Sequence, residues 1–250
     1  MTVRLAVFSD IHANLPAMEA VAEHIRTCGY DGVYCLGDIG GYAAEPNEVQ
    51  ALVQSMQCPC VMGNYDDGVG NNREDCGCHY LKPLDIEMSK ISFEWTRAQT
   101  TESNKEWLRG LPASVRLNID GRRILLCHGS PVSNTEYLFE NRSDGYLRQF
   151  TSGGKNDAHA DLILFGHTHV PFHRLVDGVS LINTGSVGRP KDGDARAGYC
   201  SLTITANDIA VEQVRVDYDI DLACSRLLKK GLPSYFADYL RSGGITTPTG

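Results

Sequence analysis

Residues 3–12 read VRLAVFSDIH, a mainly apolar run that breaks into Asp10-Ile11-His12. Val3 to Ser9 alternates little between polar and apolar, which predicts a strand buried on both faces. Asn14 and Pro16 then supply a helix start, and apolar residues keep helical spacing from Ala17 to Cys28 until Gly29 ends the pattern. Val33 to Leu36 is the next short strand, a helix follows from about Pro46 to Met56, and Cys60 to Met62 is a third strand. Such a β-α-β-α-β opening implies right-handed parallel crossovers.

Further along, the pattern changes. Asp66 to Tyr80 (DDGVGNNREDCGCHY) is polar and glycine-rich and predicts a loop beside the third strand. Leu84–Ala98 and Ser103–Arg109 predict two helices, the second closed by Leu111-Pro112. Val115–Ile119 and Arg123–Cys127 flank Asp120-Gly121, a strong hairpin signal, and His173–Val176 with Val179–Ile182 repeat it around Asp177-Gly178. Gly198–Thr205 and Ile209–Val216 pair around Asn207-Asp208. Helices near Leu222–Lys229 and Ser234–Leu240 follow, and the tail from about residue 242, SGGITTPTG, is expected to be loose. Parallel units first and antiparallel pairs later predict an α/β (α+β) sandwich of mixed sheets with helices outside. No repeat or linker divides residues 1–250, so a single domain is expected.

The chain of 250 residues carries 23 Lys and Arg against 31 Asp and Glu, a net charge of −8. It therefore lacks the basic footprint of general nucleic-acid binding. An acidic chain can still take a phosphorylated substrate where bound cations reverse the local field. The start enters a strand directly, and the apolar runs are of strand length, so neither a targeting segment nor a membrane span is expected. Nine cysteines, an odd number in a chain too large to need staples, suit a reduced, cytoplasmic protein.

Chemistry-bearing residues recur where strand-like runs end. Asp10 and His12 follow VRLAVFS, Asp38 follows GVYCLG, Asn64 follows CVMG, His128 follows RRILLC, and His167 and His169 follow DLILFG. Loops at the carboxyl ends of strands are where α/β proteins build active sites. Asp10 and His12 stand two apart, so on an extended strand both would point one way. Mixed carboxylate, amide and imidazole donors suit zinc, iron, manganese or nickel and match calcium poorly. Together these seven suit two divalent or trivalent ions sharing one carboxylate.

In order, Asp10-x-His12, Gly37-Asp38, Gly63-Asn64, His128 and Gly166-His167-x-His169 resemble the calcineurin-like metallophosphoesterases, over about residues 1–190. The segment Asn183-Thr184-Gly185-Ser186-Val187-Gly188 is similar to one in small bacterial members. The resemblance implies a four-layer α/β/β/α sandwich. It also implies one metal on Asp10, His12, Asp38 and His169, and a second on Asp38, Asn64, His128 and His167. Asp38 would be the bridge, with Asp38, His128 and Tyr65 as catalytic candidates. Two ions can bind a phosphoryl oxygen, stabilise the entering and leaving oxygens, and make hydroxide at neutral pH. The reaction expected is hydrolysis of a phosphodiester or activated phosphoester of a small substrate. Many relatives carry histidine after the Gly-Asn pair, whereas here Tyr65 does; a phenol of pKa about 10 is a poor general acid at pH 7.

Blander readings compete with these. The seven could be turn formers, or the fold could be a metal-binding, non-catalytic scaffold that recruits a protein partner. His24 is expected at the surface, and His159 and His173 as structural groups, with His173 close enough to His169 to line a pocket. Cys58-Pro-Cys60 and Cys76-Gly-Cys78-His79 have one residue between cysteines, where zinc sites have two to four, so ordinary thiols are expected. Arg142 and Arg189 are candidates for binding a substrate phosphate.

Overall fold

The computed structural model describes residues 2–151, 160–206 and 208–245. His159 and Asn207 therefore lie outside the described residues. Two mixed sheets form the centre. In the first, β1 (Val3–Phe8) pairs in parallel with β2 (Gly32–Cys35) and antiparallel with β8 (Ala197–Ile204), which pairs with β9 (Ile209–Val216). In the second, the order is β3 (Ser114–Ile119), β4 (Arg122–Cys127), β5 (Leu162–Phe165), β7 (Val179–Asn183) and β6 (Phe172–Val176). Strands β4, β5 and β7 run parallel, and β3 and β6 close the edges antiparallel.

The pleat of β1 shows how the layers are stacked. Leu5 and Val7 face an apolar core with Leu126 of β4, Leu164 of β5 and Leu202 of β8. Ala6 and Phe8 face the other way, against Met18 and Val21 of α1 (Leu15–Cys28), Val49 of α2 (Pro46–Ser55), Leu227 of α7 (Ile220–Lys229) and Phe236 of α8 (Ser234–Arg241). Behind the second sheet, Leu125 and Ile163 pack on Leu147 of α6 (Asp144–Thr151). Side chains of alternate residues on a strand point to opposite faces, so a strand buried on both sides must be apolar throughout. The result is the expected four-layer α/β/β/α sandwich. Among the described residues, no helix is long and apolar enough to cross a membrane.

Most boundaries fall close to those expected, including α4 (Pro83–Gln99) and α5 (Glu102–Arg109). Three segments differ. The expected third strand at Cys60–Met62 is reduced to a single parallel bridge between Cys60 and Cys35. Cys35 N–H donates to Pro59 O (3.0 Å) and Val61 N–H to Cys35 O (3.0 Å), but Met62 N–H turns away to Pro112 O (2.8 Å). Proline before the run and glycine after it leave room for no longer ladder.

The expected loop from Asp66 begins instead with a helix, α3 (Asn64–Gly70). Asp66 stands at its third position and its carboxylate accepts from Gly63 N–H (2.9 Å), with Asp67 also in the first turn. Carboxylates at a helix start satisfy free N–H groups and suit the helix dipole. Helix α6 was not expected at all; Ser143 caps it through Tyr146 N–H (3.3 Å). Of the tail expected to be loose, Gly243 O accepts from Gly193 N–H (2.9 Å) and Gly244 N–H donates to Tyr239 O (3.0 Å). Residues 246–250 lie outside the described residues.

Leu164 lies between the sheets at 0 % exposure, whereas Leu175 on β6 is 67 % exposed. Leu164→Ala is expected to lower the unfolding free energy in urea by about 2–5 kcal/mol. Leu175→Ala is expected to change it by less than about 0.5 kcal/mol. Equal effects of the two would contradict the layer assignment.

Candidate metal centre

The carboxyl ends of β1, β2, β4 and β5 converge at one edge of the sandwich, and the loops leaving them carry six of the seven predicted ligands. Asn64 comes from the start of α3. All seven are buried, none more than 3 % exposed. Asp10, His12 and His169 form one group whose ligand atoms lie within 4.8 Å of one another, and Asp38, His128 and His167 form a second. Among the described residues, the groups that could hold a metal contain no cysteine.

The loops hold these side chains in an uncommon backbone state. Asp10, His12, Asp38, His167 and His169 all have positive φ, between 50° and 64°. The expectation that Asp10 and His12 share a direction by lying on an extended strand is therefore corrected: they converge from a left-handed turn. That conformation costs an ordinary residue on the order of 1 kcal/mol or more, and persists only where surroundings enforce it. Here Asp10 N–H donates to Gly37 O (3.0 Å), and Ile11 and His12 N–H both donate to Asp38 O (2.9 and 3.0 Å). His167 N–H donates to both Asp10 carboxylate oxygens (3.2 and 3.0 Å).

Two glycines of the motifs are explained by close approach. A Cβ on Gly63 would lie 2.2 Å from Asp38 Oδ1, and one on Gly166 would lie 2.3 Å from Asp10 Oδ2. Those carboxylates pack directly on bare backbone. Asp38 Oδ1 accepts from Tyr65 N–H (2.8 Å), which leaves Oδ2 facing His12 Nε2 at 3.7 Å and His128 Nε2 at 3.4 Å. One oxygen thus stands between the two groups. Asp10 Oδ1 lies 3.3 Å from His169 Nε2, and Asn64 Oδ1 lies 3.1 Å from His128 Nε2.

The imidazole tautomers follow from their carbonyl partners. His12 Nδ1 meets Gly40 O (3.0 Å), His128 Nδ1 meets Leu36 O (2.7 Å) and His169 Nδ1 meets Arg189 O (2.5 Å). A carbonyl only accepts, so each Nδ1 carries the proton and presents Nε2 inward. His12 Nε2 and His169 Nε2 then face each other at 3.1 Å, two lone pairs with no proton between them. Burial, with the neighbouring His169, lowers the His12 pKa to about 3, and burial takes His169 well below its ordinary value. His167 Nε2 is buried without a hydrogen-bond partner. Facing lone pairs and an orphaned ring nitrogen are the kind of donor set a cation would satisfy.

His128 differs from the other three. Burial pulls its pKa down, but the charges of Asp38 and Asp10 outweigh that and raise it to about 10. In His167 burial dominates and lowers the value to about 3.

Several residues around the centre were not foreseen. The Asp66 carboxylate accepts from Asp38 N–H (2.8 Å), Ile39 N–H (3.0 Å) and Gly63 N–H (2.9 Å), locking two ligand loops together. Its place three residues after Gly63, at a helix start, was the available signal. Asn183 Nδ2 donates to Gly166 O (2.7 Å) and Thr168 Oγ1 (2.9 Å), and Ser186 Oγ donates to Asp10 O (2.7 Å). The glycine-rich segment thus fastens the loops after β5 and β1. Tyr65 is fully buried, its hydroxyl paired with Ser92 Oγ (3.1 Å) and its ring edge-on to His12. His24 is half-buried and hydrogen-bonds Tyr199, His173 pairs with Ser180 on the exposed face of β6, and Arg142 lies over Phe139 and Tyr146. None of these three joins the centre. Arg189 does border it.

The sequence profile of the calcineurin-like phosphoesterase superfamily domain matches residues 3–207. An uncharacterized protein of Methanocaldococcus jannaschii is 34% identical over 257 residues, covering 96% of this chain and 98% of its own. Among solved structures, a metallophosphoesterase from Sphaerobacter thermophilus is 26% identical with a TM-score of 0.76, covering 97% of this chain and 100% of its own. A hypothetical protein from Pyrococcus horikoshii has the same fold, with a TM-score of 0.80, 22% identity and coverage of 98% and 100%. The chain belongs to the calcineurin-like phosphoesterase superfamily. Membership implies a hydrolase, and that family uses divalent metals.

The electrostatics predict proton release on metal loading. At pH 7 His128, at about 10, is protonated, while His12 and His167, at about 3, are already neutral. A cation that needs the His128 lone pair must displace that proton, so affinity rises with pH toward 10. Calorimetric titration of metal-free protein with Mn²⁺ or Zn²⁺ at pH 7, in buffers of different ionisation enthalpy, is expected to show about one proton released. No dependence on buffer would contradict the assignment.

Proposed function

We propose that the chain hydrolyses a phosphodiester or activated phosphoester of a small molecule at a pair of metal ions. Asp10, His12, Asp38 and His169 would hold one ion, and Asp38, Asn64, His128 and His167 the other. The observation that carries this reading is the Asp38 carboxylate, with Oδ1 on Tyr65 N–H and Oδ2 between His12 and His128. Mn, Fe, Zn and Ni all suit the donor set. Such ions, when bound, polarise a phosphoryl oxygen and activate water at neutral pH.

The protein's own part is positioning. Carbonyls of Gly40, Leu36 and Arg189 fix three imidazoles with Nε2 inward, as partners on the far ring nitrogen do for metal-binding histidines. Asp66 holds the Asp38 loop to the Asn64 loop. We read Tyr65 as acting through its backbone N–H on Asp38, since its hydroxyl is occupied by Ser92 and burial takes its pKa well above 10. A phenol so placed supplies no proton to a leaving group at pH 7, which favours esters whose alcohol leaves readily. Nine free thiols suit a reducing compartment, and we place the chain in the cytoplasm on that ground.

Asp38→Asn replaces the shared carboxylate oxygen by an amide of the same shape. Elemental analysis is expected to fall from two ions per chain to one or fewer. Hydrolysis of bis-p-nitrophenyl phosphate is expected to drop by about 100-fold or more. Full activity with full metal content in the variant would refute the bridge. A wild type that holds two ions and turns over no phosphoester would favour a non-catalytic scaffold instead.

A further inference from the structure

Beside the metal centre lies a cavity of about 220 Å³ that none of the steps above uses. Its walls come from four separate parts of the chain: Tyr42 after β2, Lys82 and Asp85 at the start of α4, Arg189 and Lys191 before β8, and Tyr239 on α8. The Arg189 guanidinium is clamped between the Tyr42 and Tyr239 rings, 3.8 Å from each centroid. Arg189 is 5 % exposed, and its buried Nη1 has no hydrogen-bond partner. A buried guanidinium donor left without an acceptor is costly, and here it belongs to a side chain that lines an open cavity.

The charge of the pocket points the same way. Lys82, Arg189 and Lys191 stand against one carboxylate, Asp85, in a chain whose net charge is −8. Asp85 is itself engaged by the Tyr235 hydroxyl (2.7 Å). Stacking on two aromatic rings fixes the guanidinium plane without consuming its N–H groups. It therefore remains free to make paired hydrogen bonds to a planar or tetrahedral anion.

The pocket and the centre share walls. Tyr42 packs edge-on against the His12 ring, 4.9 Å between centroids, and the Arg189 carbonyl is the partner of His169 Nδ1. Lys191 is half-buried, and its backbone N–H donates to His169 O (3.4 Å). A ligand seated at the metals would have this cationic pocket beside it.

We propose that the pocket is a substrate subsite for a second anionic group, a phosphate or carboxylate, on the molecule whose phosphoester is cleaved. The inference rests on the hydrolytic reading above for its word "substrate", but the anion site itself does not depend on it. The substrate class is then a small phosphoester bearing a further anion, which Arg189 and Lys191 select.

Two measurements test it. In the first, metal-free protein is titrated calorimetrically with inorganic pyrophosphate. Wild type is expected to bind, and Arg189→Met and Lys191→Gln each to weaken binding by about tenfold or more, the value of one charge-assisted contact. Lys191→Gln, at a half-buried position, keeps the test open if Arg189→Met fails to fold. Absence of binding, or binding that a folded variant leaves unchanged, overturns the proposal. In the second, metal-loaded protein is given two p-nitrophenyl phosphodiesters with matched alkyl arms, one ending in a carboxylate and the other in its amide. Wild type is expected to show a KM about tenfold lower for the carboxylate, and the preference to vanish in Lys191→Gln; equal KM values in wild type overturn the subsite. If neither ester is cleaved, the hydrolytic reading fails while the pyrophosphate titration still decides the pocket.

Discussion

The backbone hydrogen bonds that tie the loop after β1 to the loop after β2 are the constraint on which the rest depends. Asp10, Ile11, His12 and Ala13 donate in succession to Gly37, Asp38 and Ile39 carbonyls. Those bonds exist because β1 and β2 are parallel neighbours and end level with one another. They hold Asp10, His12 and Asp38 at positive φ, a state that free loops of these residues would leave. The second sheet closes on the first when His167 N–H reaches the Asp10 carboxylate. The cage of candidate ligands is thus a consequence of two sheet edges meeting, with each loop a support for the next.

A cage built this way is electrostatically poised. Two buried carboxylates and three inward-facing neutral imidazoles concentrate acceptors where few donors exist. Burial alone would penalise that arrangement, and without a cation His128 takes a proton in response to Asp38 and Asp10. The neighbouring Arg189 and Lys191 add positive charge just outside the cage, which would steady an anionic ligand against a chain that is negative overall.

The candidate ligands were legible in the sequence because each sits at a sharp break between an apolar strand and a turn, three of them directly after a glycine. Gly37-Asp38, Gly63-Asn64 and Gly166-His167 look like punctuation, and the structure gives two of those glycines a steric reason in the carboxylates packed on them. The layer order was legible from β1 and from the hairpin signals. The short helix α3 was hidden by its glycines, and Asp66 with it, since the importance of Asp66 lies in three N–H groups from two loops. Helix α6 is only eight residues long, too short for its apolar positions Tyr146, Leu147 and Phe150 to establish a helical period in the sequence. The Arg189 pocket could not be read at all as a place: its walls stand up to roughly 200 residues apart and meet only through tertiary packing. Tyr65 was visible as a departure, but the direction of its hydroxyl, toward Ser92, depends on α4.

In the proposed function, two ions share the Asp38 carboxylate. The most direct test is a crystal structure of the metal-loaded protein with anomalous scattering recorded at the metal's absorption edge. Two anomalous peaks are expected to flank Asp38, one beside His12 and His169 and the other beside His128 and His167. A single peak, or two peaks that Asp38 does not join, would contradict that sharing.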